Sequence, residues 1–437
     1  MFEDFYGAHI KEMQRRWEAV MLAENHSAAV IHAGTPTVSF LDDYVYAFRP
    51  NPLFLGWLPL THHHDSVLLI RPGEKPLLWF YQPEDYWHLP PTDPQAWWAD
   101  HIEVRVVSEP GTWRRELPQA VAAMAALGDS PELAAVFTPE QINPARLVTK
   151  LHLERTRKTD YEVVCMQQAN RFAARAHQAA RQAFENGKSE FDIHLEYLNA
   201  CRQNDAELPY GSIVALNQHG AVLHYQRRQR VAPSVRRSFL IDAGSTVNAY
   251  AADITRTHAA ASGEFADLIG AVNTMQQDLC GAVRAGVDFS RLHLETHLRI
   301  AEILVACGII RGAAEDAVAS GLSSVFYPHG LGHFIGLQTH DVAGLIDNQG
   351  APIPRPEGHP YLRLTRKLEP GNVVTIEPGL YFIESLLNKC KAGQKAAAIN
   401  WKALEQLIPY GGIRIEDNVV VRQDGCDNLT RSAFAEL

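Results

Sequence analysis

Phe239-Leu240-Ile241-Asp242-Ala243-Gly244-Ser245-Thr246-Val247-Asn248-Ala249-Tyr250-Ala251-Ala252-Asp253-Ile254-Thr255-Arg256 is the stretch on which the reading of this chain turns. Two β-type runs flank a Gly–Ser–Asn region, the pattern of a β-hairpin. A reversal between Val247 and Asn248 sets Asp242 directly opposite Asp253, both carboxylates on one face, with Cβ atoms about 5 Å apart. Like charges opposed across a ladder destabilise it, so the pair calls for a cation. Two such carboxylates can bridge a pair of hard or borderline metal ions. The bland alternative is that one aspartate only caps a turn.

Three further segments extend the pattern. Pro328-His329-Gly330-Leu331-Gly332-His333-Phe334-Ile335-Gly336-Leu337-Gln338-Thr339-His340-Asp341 carries three histidines among three glycines. Glycine lets the backbone turn tightly and approach a ligand, and imidazole is both a common metal ligand and a near-neutral acid/base. Thr375-Ile376-Glu377-Pro378-Gly379 and Gly411-Gly412-Ile413-Arg414-Ile415-Glu416-Asp417 each place a carboxylate inside a β-branched apolar run. An acid on a core-facing strand is costly unless paired or bound to a metal. Glu377 can also be read as a strand end beside a turn, and Glu416 as the partner of Arg414.

Around these segments the chain divides. Its 437 residues exceed one ordinary core, so two domains are expected. Seven of the eight tryptophans precede residue 114, and short apolar runs at 28–31, 66–70 and 76–80 read as buried strands. An amino-terminal α/β domain over residues 1–157 and an α+β domain over 158–437 follow. In the second, residues 160–184 lack Gly and Pro and carry apolar residues at helical spacing, with Gly187 as the stop and Ser189 opening the next helix. A second helical pair is expected at 265–284 and 291–307, with Ser290 as an N-cap and Gly308 as a stop. Strand-like segments follow each pair, at 238–260, 373–384 and 412–422, so the domain reads as two related halves.

A net charge of −10 without a basic stripe excludes a nucleic-acid surface. Six cysteines without CxxC pairs exclude a zinc ribbon or disulfide framework and fit reduced thiols. The charged first 21 residues lack a signal-peptide core, and no apolar run approaches the roughly 20 residues of a membrane span, so a soluble, cytoplasmic protein is expected. His62-His63-His64 looks like a metal tract but reads as an ordinary strand edge or loop, because consecutive strand residues face opposite ways.

In order and spacing, Asp242, Asp253, His333 in HGLGH, Glu377 in EPG and Glu416 in RIED resemble the pita-bread metallopeptidases, which include methionine aminopeptidase, aminopeptidase P and prolidase. Within them the resemblance is to the bacterial Xaa-Pro dipeptidases (prolidases), a group that includes organophosphorus acid anhydrolases. It extends to Phe40-Leu41-Asp42-Asp43, His219, Leu223-His224-Tyr225, Leu362-Arg363 and the segment after Leu380. The resemblance implies an amino-terminal α/β domain followed by a pita-bread catalytic domain. It also implies two divalent metal ions held by Asp242, Asp253, His333, Glu377 and Glu416, with Asp253 and Glu416 bridging. Mn²⁺ suits a mostly oxygen donor set, with Co²⁺ or Zn²⁺ tolerated.

By the same resemblance Glu377, His340 and His224 are catalytic. Arg363, His329, His224 and Tyr210 bind substrate, and Arg414 with Tyr381 orients the metal-binding carboxylates. Arg363 would grip the free carboxylate of an Xaa-Pro dipeptide. The implied assembly is a homodimer, and phosphotriester hydrolysis is an implied side activity. Two alternatives stay open: removal of the first residue from longer Xaa-Pro peptides, as in aminopeptidase P, and non-catalytic peptide binding. The chain departs from the family after Asp43, where Tyr44-Val45-Tyr46-Ala47-Phe48-Arg49 stands in place of the usual Pro and Lys.

Overall fold

The computed structural model describes residues 2–89, 93–118 and 121–437. The chain separates into two units, Met1–Cys165 and Met166–Leu437. The first contains five strands: β1 (Ala28–His32), β2 (Val67–Ile70), β3 (Leu77–Tyr81), β4 (Glu103–Val107) and β5 (Met124–Leu127). They form one mixed sheet in the order β4-β3-β2-β1-β5, antiparallel across β1–β2 and β2–β3 and parallel at both edges. Continuous apolar runs fit strands covered on both faces, and β1 and β2 are buried along their whole length. Trp79 and Trp113 fill the core on one side with Val30, Leu69 and Ala126.

The expected helices form at Asp160–Glu185, which runs across the Cys165–Met166 division, and within the second unit at Glu190–Cys201, Glu264–Ala282 and Phe289–Ala306. Gly187 follows the first at φ +79°, and Ser189 accepts from Asp192 N to cap the second. The N-cap of Phe289–Ala306 is Asp288 and not Ser290: Asp288 Oδ1 accepts from Ser290 N at 3.0 Å and Arg291 N at 3.3 Å. Asp288 has the extended backbone of a cap, φ −80° and ψ 112°, whereas Ser290 already lies inside the helix.

Each helical pair covers a short antiparallel sheet. Tyr197 and Phe184, from the first pair, pack with Val214, Phe239 and Ile241. These come from β6 (Ile213–Leu216) and β7 (Ser238–Asp242), joined by β8 (Thr246–Val247), β9 (Tyr250–Ala251) and β10 (Thr255–Ala259). Leu279, Ile300 and Leu304, from the second pair, pack with Val374, Ile376, Ile413 and Val419. Their strands are β11 (Val373–Ile376), β12 (Gly379–Tyr381), β13 (Gly412–Arg414), β14 (Asp417–Val421) and β15 (Cys426–Asn428). The expected strand at 373–384 ends at Tyr381, and Glu384 opens a helix, Glu384–Lys391.

The hairpin register differs from expectation. Thr246 pairs with Ala251 and Val247 with Tyr250, so the chain reverses at Asn248–Ala249, with φ +50° and +70°. Two successive left-handed residues make the tight turn that matches strand twist. Asp242 consequently faces Thr255 and not Asp253. Because the shift is two residues, Asp253 stays on the face that carries Asp242.

Candidate active site

Five acidic or imidazole side chains meet where the two halves of the second unit join. Asp242 ends β7. Asp253 lies in the turn before β10, clamped through its main chain: its N donates to Asn418 Oδ1 at 3.0 Å and its O accepts from Asn418 Nδ2 at 2.6 Å. Glu416 sits between β13 and β14, and its N donates to Thr255 O at 3.1 Å. Glu377 follows β11, its N donating to Leu331 O at 2.8 Å. His333 is fixed against β11 as Thr375 N donates to His333 O and His333 N donates to Thr375 Oγ1, both at 3.0 Å. Gly332 permits this approach, since a Cβ there would lie 2.0 Å from Thr375 O.

The side chains converge. His333 Nδ1 lies 2.9 Å from Phe334 O, which fixes the proton on Nδ1 and leaves the Nε2 lone pair aimed at Glu377 Oε1 (3.4 Å) and Asp253 Oδ2 (3.6 Å). Lone pairs facing carboxylate oxygens repel unless a proton or cation lies between them. Asp253, His333 and Glu416 each offer a ligand atom within 4.8 Å of the other two. Asp242 Oδ1 is buried with no hydrogen-bond partner among the described residues.

Electrostatics describe the same crowding. Burial, and then the neighbouring Asp242, push the Asp253 carboxyl well above its ordinary range. Burial, then Asp253 and Glu377, do the same to Glu416. Glu377 is pushed up to about 7, chiefly by burial. Burial holds His333 down at about 3, keeping its ring neutral as a metal ligand must be. The donor set, one neutral imidazole and four carboxylates with an orphaned oxygen, fits two divalent cations.

Around this centre Tyr210 Oη donates to Asp253 Oδ1 at 2.5 Å and Thr255 Oγ1 donates to Glu416 Oε2 at 2.6 Å. Arg414 does not pair with Glu416; its Nη2 donates to Asp242 Oδ2 at 2.6 Å. Tyr381 Oη accepts from Arg414 Nη1 at 2.7 Å and lies 2.9 Å from His329 Nε2. Both ring nitrogens of His329 are engaged, Nδ1 lying 2.8 Å from Gly330 O. The His340 ring stands perpendicular to His333, centroids 4.5 Å apart. Arg363 and His224 are exposed. The Arg363 charge is felt at His333, His340 and Glu377, and that of His224 at His340 and His329, so both border the centre.

A model of the Xaa-Pro dipeptidase N-terminal domain matches residues 4–153, and one of metallopeptidase family M24 matches residues 164–423. The chain belongs to metallopeptidase family M24. It is 47% identical over 432 residues to a Xaa-Pro dipeptidase of Xanthomonas campestris, covering 98% of each chain. It is 45% identical over 428 residues to a Xaa-Pro dipeptidase of Shewanella oneidensis, again covering 98% of each. Among solved structures, Escherichia coli aminopeptidase P with its His361Ala substitution superposes with a TM-score of 0.73 at 22% identity, covering 97% of this chain and 95% of that one. Pseudomonas aeruginosa aminopeptidase PepP also gives 0.73 at 22%, covering 98% of each. At that identity the likeness is one of fold. Membership makes the chain a divalent-metal peptidase of pita-bread architecture.

Thr255 and Asn418 support the candidate site, and reading the residues did not single them out. Thr255, two positions after Asp253, faces the same way and bridges Glu416 and Arg414, accepting from Arg414 Nε at 3.2 Å; that period-two spacing was its available signal. Asn418 clamps Asp253 from 165 residues away and has no local signature. The His62–His64 tract is no metal site: His63 is buried against Phe80, centroids 4.7 Å apart, and His64 lies 2.7 Å from Asp65.

Proposed function

We propose that the protein is a dinuclear-metal dipeptidase that cleaves the Xaa-Pro bond of dipeptides. The observation that carries this reading is the convergence of His333 Nε2 on Asp253 and Glu377, beside Glu416 and the orphaned Asp242 oxygen, with Arg363 at the border. Asp242, Asp253, His333, Glu377 and Glu416 would hold the ions. Manganese suits their oxygen-rich donor set. When bound, such a pair lowers the pKa of water and polarises a carbonyl.

The chain's own groups supply the rest. Glu377 takes a proton from the attacking water and passes it to the leaving proline nitrogen. His340, beside His333, donates to the carbonyl oxygen as negative charge develops there. His224 contacts the leaving group, while His329 and Tyr210 line the substrate pocket. Arg363 receives the free carboxylate as a bidentate pair. A longer peptide would put an amide there, which favours dipeptides over the substrates of an aminopeptidase.

The same reading includes a homodimer in the cytoplasm. Phe40 and Leu41 are 89% and 90% exposed and Tyr44 61%, an apolar loop suited to cover by a second copy. Among the described residues no cysteine forms a disulfide, which fits a reducing compartment. The deciding experiment is an assay of metal-depleted protein on Xaa-Pro and Xaa-Pro-Yaa, with Mn²⁺, Co²⁺ and Zn²⁺ added back singly. Restored cleavage of the dipeptide alone supports the proposal; preferential cleavage of the tripeptide, or none with any ion, overturns it.

A further inference from the structure

A second cluster of histidines lies outside the carboxylate centre. His293 and His297 are four residues apart on the helix Phe289–Ala306, so they share one face, and each is 1% exposed. His359, half-buried, comes from a distant segment and meets them. The three rings pack with centroids 4.5 to 4.8 Å apart. Each ring offers one nitrogen within 4.8 Å of the other two.

Proton counting makes this cluster incomplete. His293 Nε2 and His359 Nδ1 lie 3.0 Å apart, which suits one shared proton or two lone pairs on one ion. Nitrogens bound to a common tetrahedral zinc stand roughly 3.3 Å apart at the usual Zn–N length. His297 Nδ1 lies 3.0 Å from Ser323 Oγ. With Nδ1–H donating there, the Nε2 lone pair points away from Ser323 in the manner of a metal-ligating histidine held by its other nitrogen. Nε2 of His297 and the hydroxyl of the adjoining Tyr327 are both buried with no partner among the described residues. Two such orphans side by side are rare in native interiors. Burial also keeps the rings neutral, His293 down at about 2 and His297 at about 3, so no proton competes for the lone pairs.

We propose that His293, His297 and His359 form a metal site separate from the Asp253–His333–Glu416 group, taking one borderline transition ion of the Zn²⁺, Co²⁺ or Ni²⁺ class. Three neutral imidazoles and one open position favour such ions over Mn²⁺ or Mg²⁺, the reverse of the oxygen-rich centre. His359 stands four residues before Arg363, so an ion here clamps the substrate-binding segment to the helix Phe289–Ala306.

The test counts zinc per chain after equilibrium dialysis, in the parent protein and in Asp253→Asn/Glu416→Gln, each with and without His359→Gln. Circular dichroism verifies that each variant is folded. Asp253→Asn/Glu416→Gln is expected to retain one zinc that His359→Gln removes, and His359→Gln alone is expected to lose one zinc. Cobalt supplies a readout without a histidine substitution: Asp253→Asn/Glu416→Gln should develop the intense visible absorption of a four-coordinate nitrogen site. If Asp253→Asn/Glu416→Gln binds neither ion, or if His359→Gln and His297→Gln bind as much zinc as their parents, the proposal is overturned. Loss of one zinc on His359→Gln, with no effect of Asp253→Asn/Glu416→Gln, would instead sink the carboxylate centre and leave this site standing.

Discussion

Arg414 Nη2 donates to Asp242 Oδ2 at 2.6 Å, while its Nη1 holds Tyr381 Oη at 2.7 Å and its Nε holds Thr255 Oγ1 at 3.2 Å. One buried guanidinium therefore orients three groups around the candidate metal centre. Its planar fork matters as much as its charge, because a lysine ammonium cannot reach all three in fixed directions. Arg414→Lys is expected to weaken metal affinity by roughly ten- to a hundredfold, the usual penalty for losing an outer orienting partner. Isothermal titration of the metal-depleted protein with Mn²⁺ measures it; unchanged affinity would show that Asp242 needs no such support.

Glu190 is a buried carboxylate that accepts four hydrogen bonds, from Leu216 N at 2.8 Å and from Gln229 N, Tyr225 Oη and His219 Nδ1 at 2.7 Å. All four donors lie on the segment that carries His224, so Glu190 is a positioning residue for that histidine. Glu190→Gln replaces acceptor capacity with a donor among donors. Hydrogen bonds to a charged group are worth about 1.5–3 kcal/mol, so turnover should fall by roughly ten- to a hundredfold. The check is a double-mutant cycle: in a His224→Ala background the same change should cost little. Additive losses would mean that Glu190 acts on stability alone.

The candidate metal-binding side chains were legible because each is a polar interruption of an apolar run, at a spacing that only the whole set explains. Their relations were less so. The hairpin register rests on Asn248 and Ala249 both adopting positive φ, and an alanine gives no sign of that conformation. Arg414 has Glu416 two residues away but pairs with Asp242, 172 residues distant, a partner that only the fold brings within reach. Asp288 and Ser290 were both competent caps, and the choice fell to the backbone's entry into the helix. Asn418 has no motif at all; only the fold brings it to Asp253.

Metal removal should change how stability depends on pH. Burial, then Asp242, raises the Asp253 pKa; burial, then Asp253, raises Glu416; and burial brings Glu377 from 4.5 up to about 7. Between those limits the ion-free folded chain holds more protons than the unfolded chain. Its stability is then greatest below the ordinary carboxylate range and falls as pH rises towards 7. Bound cations favour the ionised carboxylates and oppose that loss. The melting temperature in chelator should therefore drop, relative to the Mn²⁺-loaded protein, by an amount that grows from pH 4.5 to 7. Parallel pH profiles with and without metal would contradict the crowding argument.

We propose that Arg363 discriminates dipeptides from longer substrates. It is exposed, and its charge bears on His333, His340 and Glu377 without a hydrogen bond to any of them. It can therefore be removed without unsettling the metal-binding carboxylates. A bidentate guanidinium–carboxylate pair contributes to ground state and transition state alike, so its loss should appear mainly in KM. Arg363→Ala is expected to raise KM for Xaa-Pro by about ten- to a hundredfold, the range of a charge-assisted hydrogen bond, with kcat nearly unchanged. Cleavage of Xaa-Pro-Yaa, which has no carboxylate at that point, should be unaffected or improved. Steady-state kinetics on both substrates make the comparison. Equal losses on dipeptide and tripeptide would assign Arg363 to the chemistry, and no loss on either would remove it from the site.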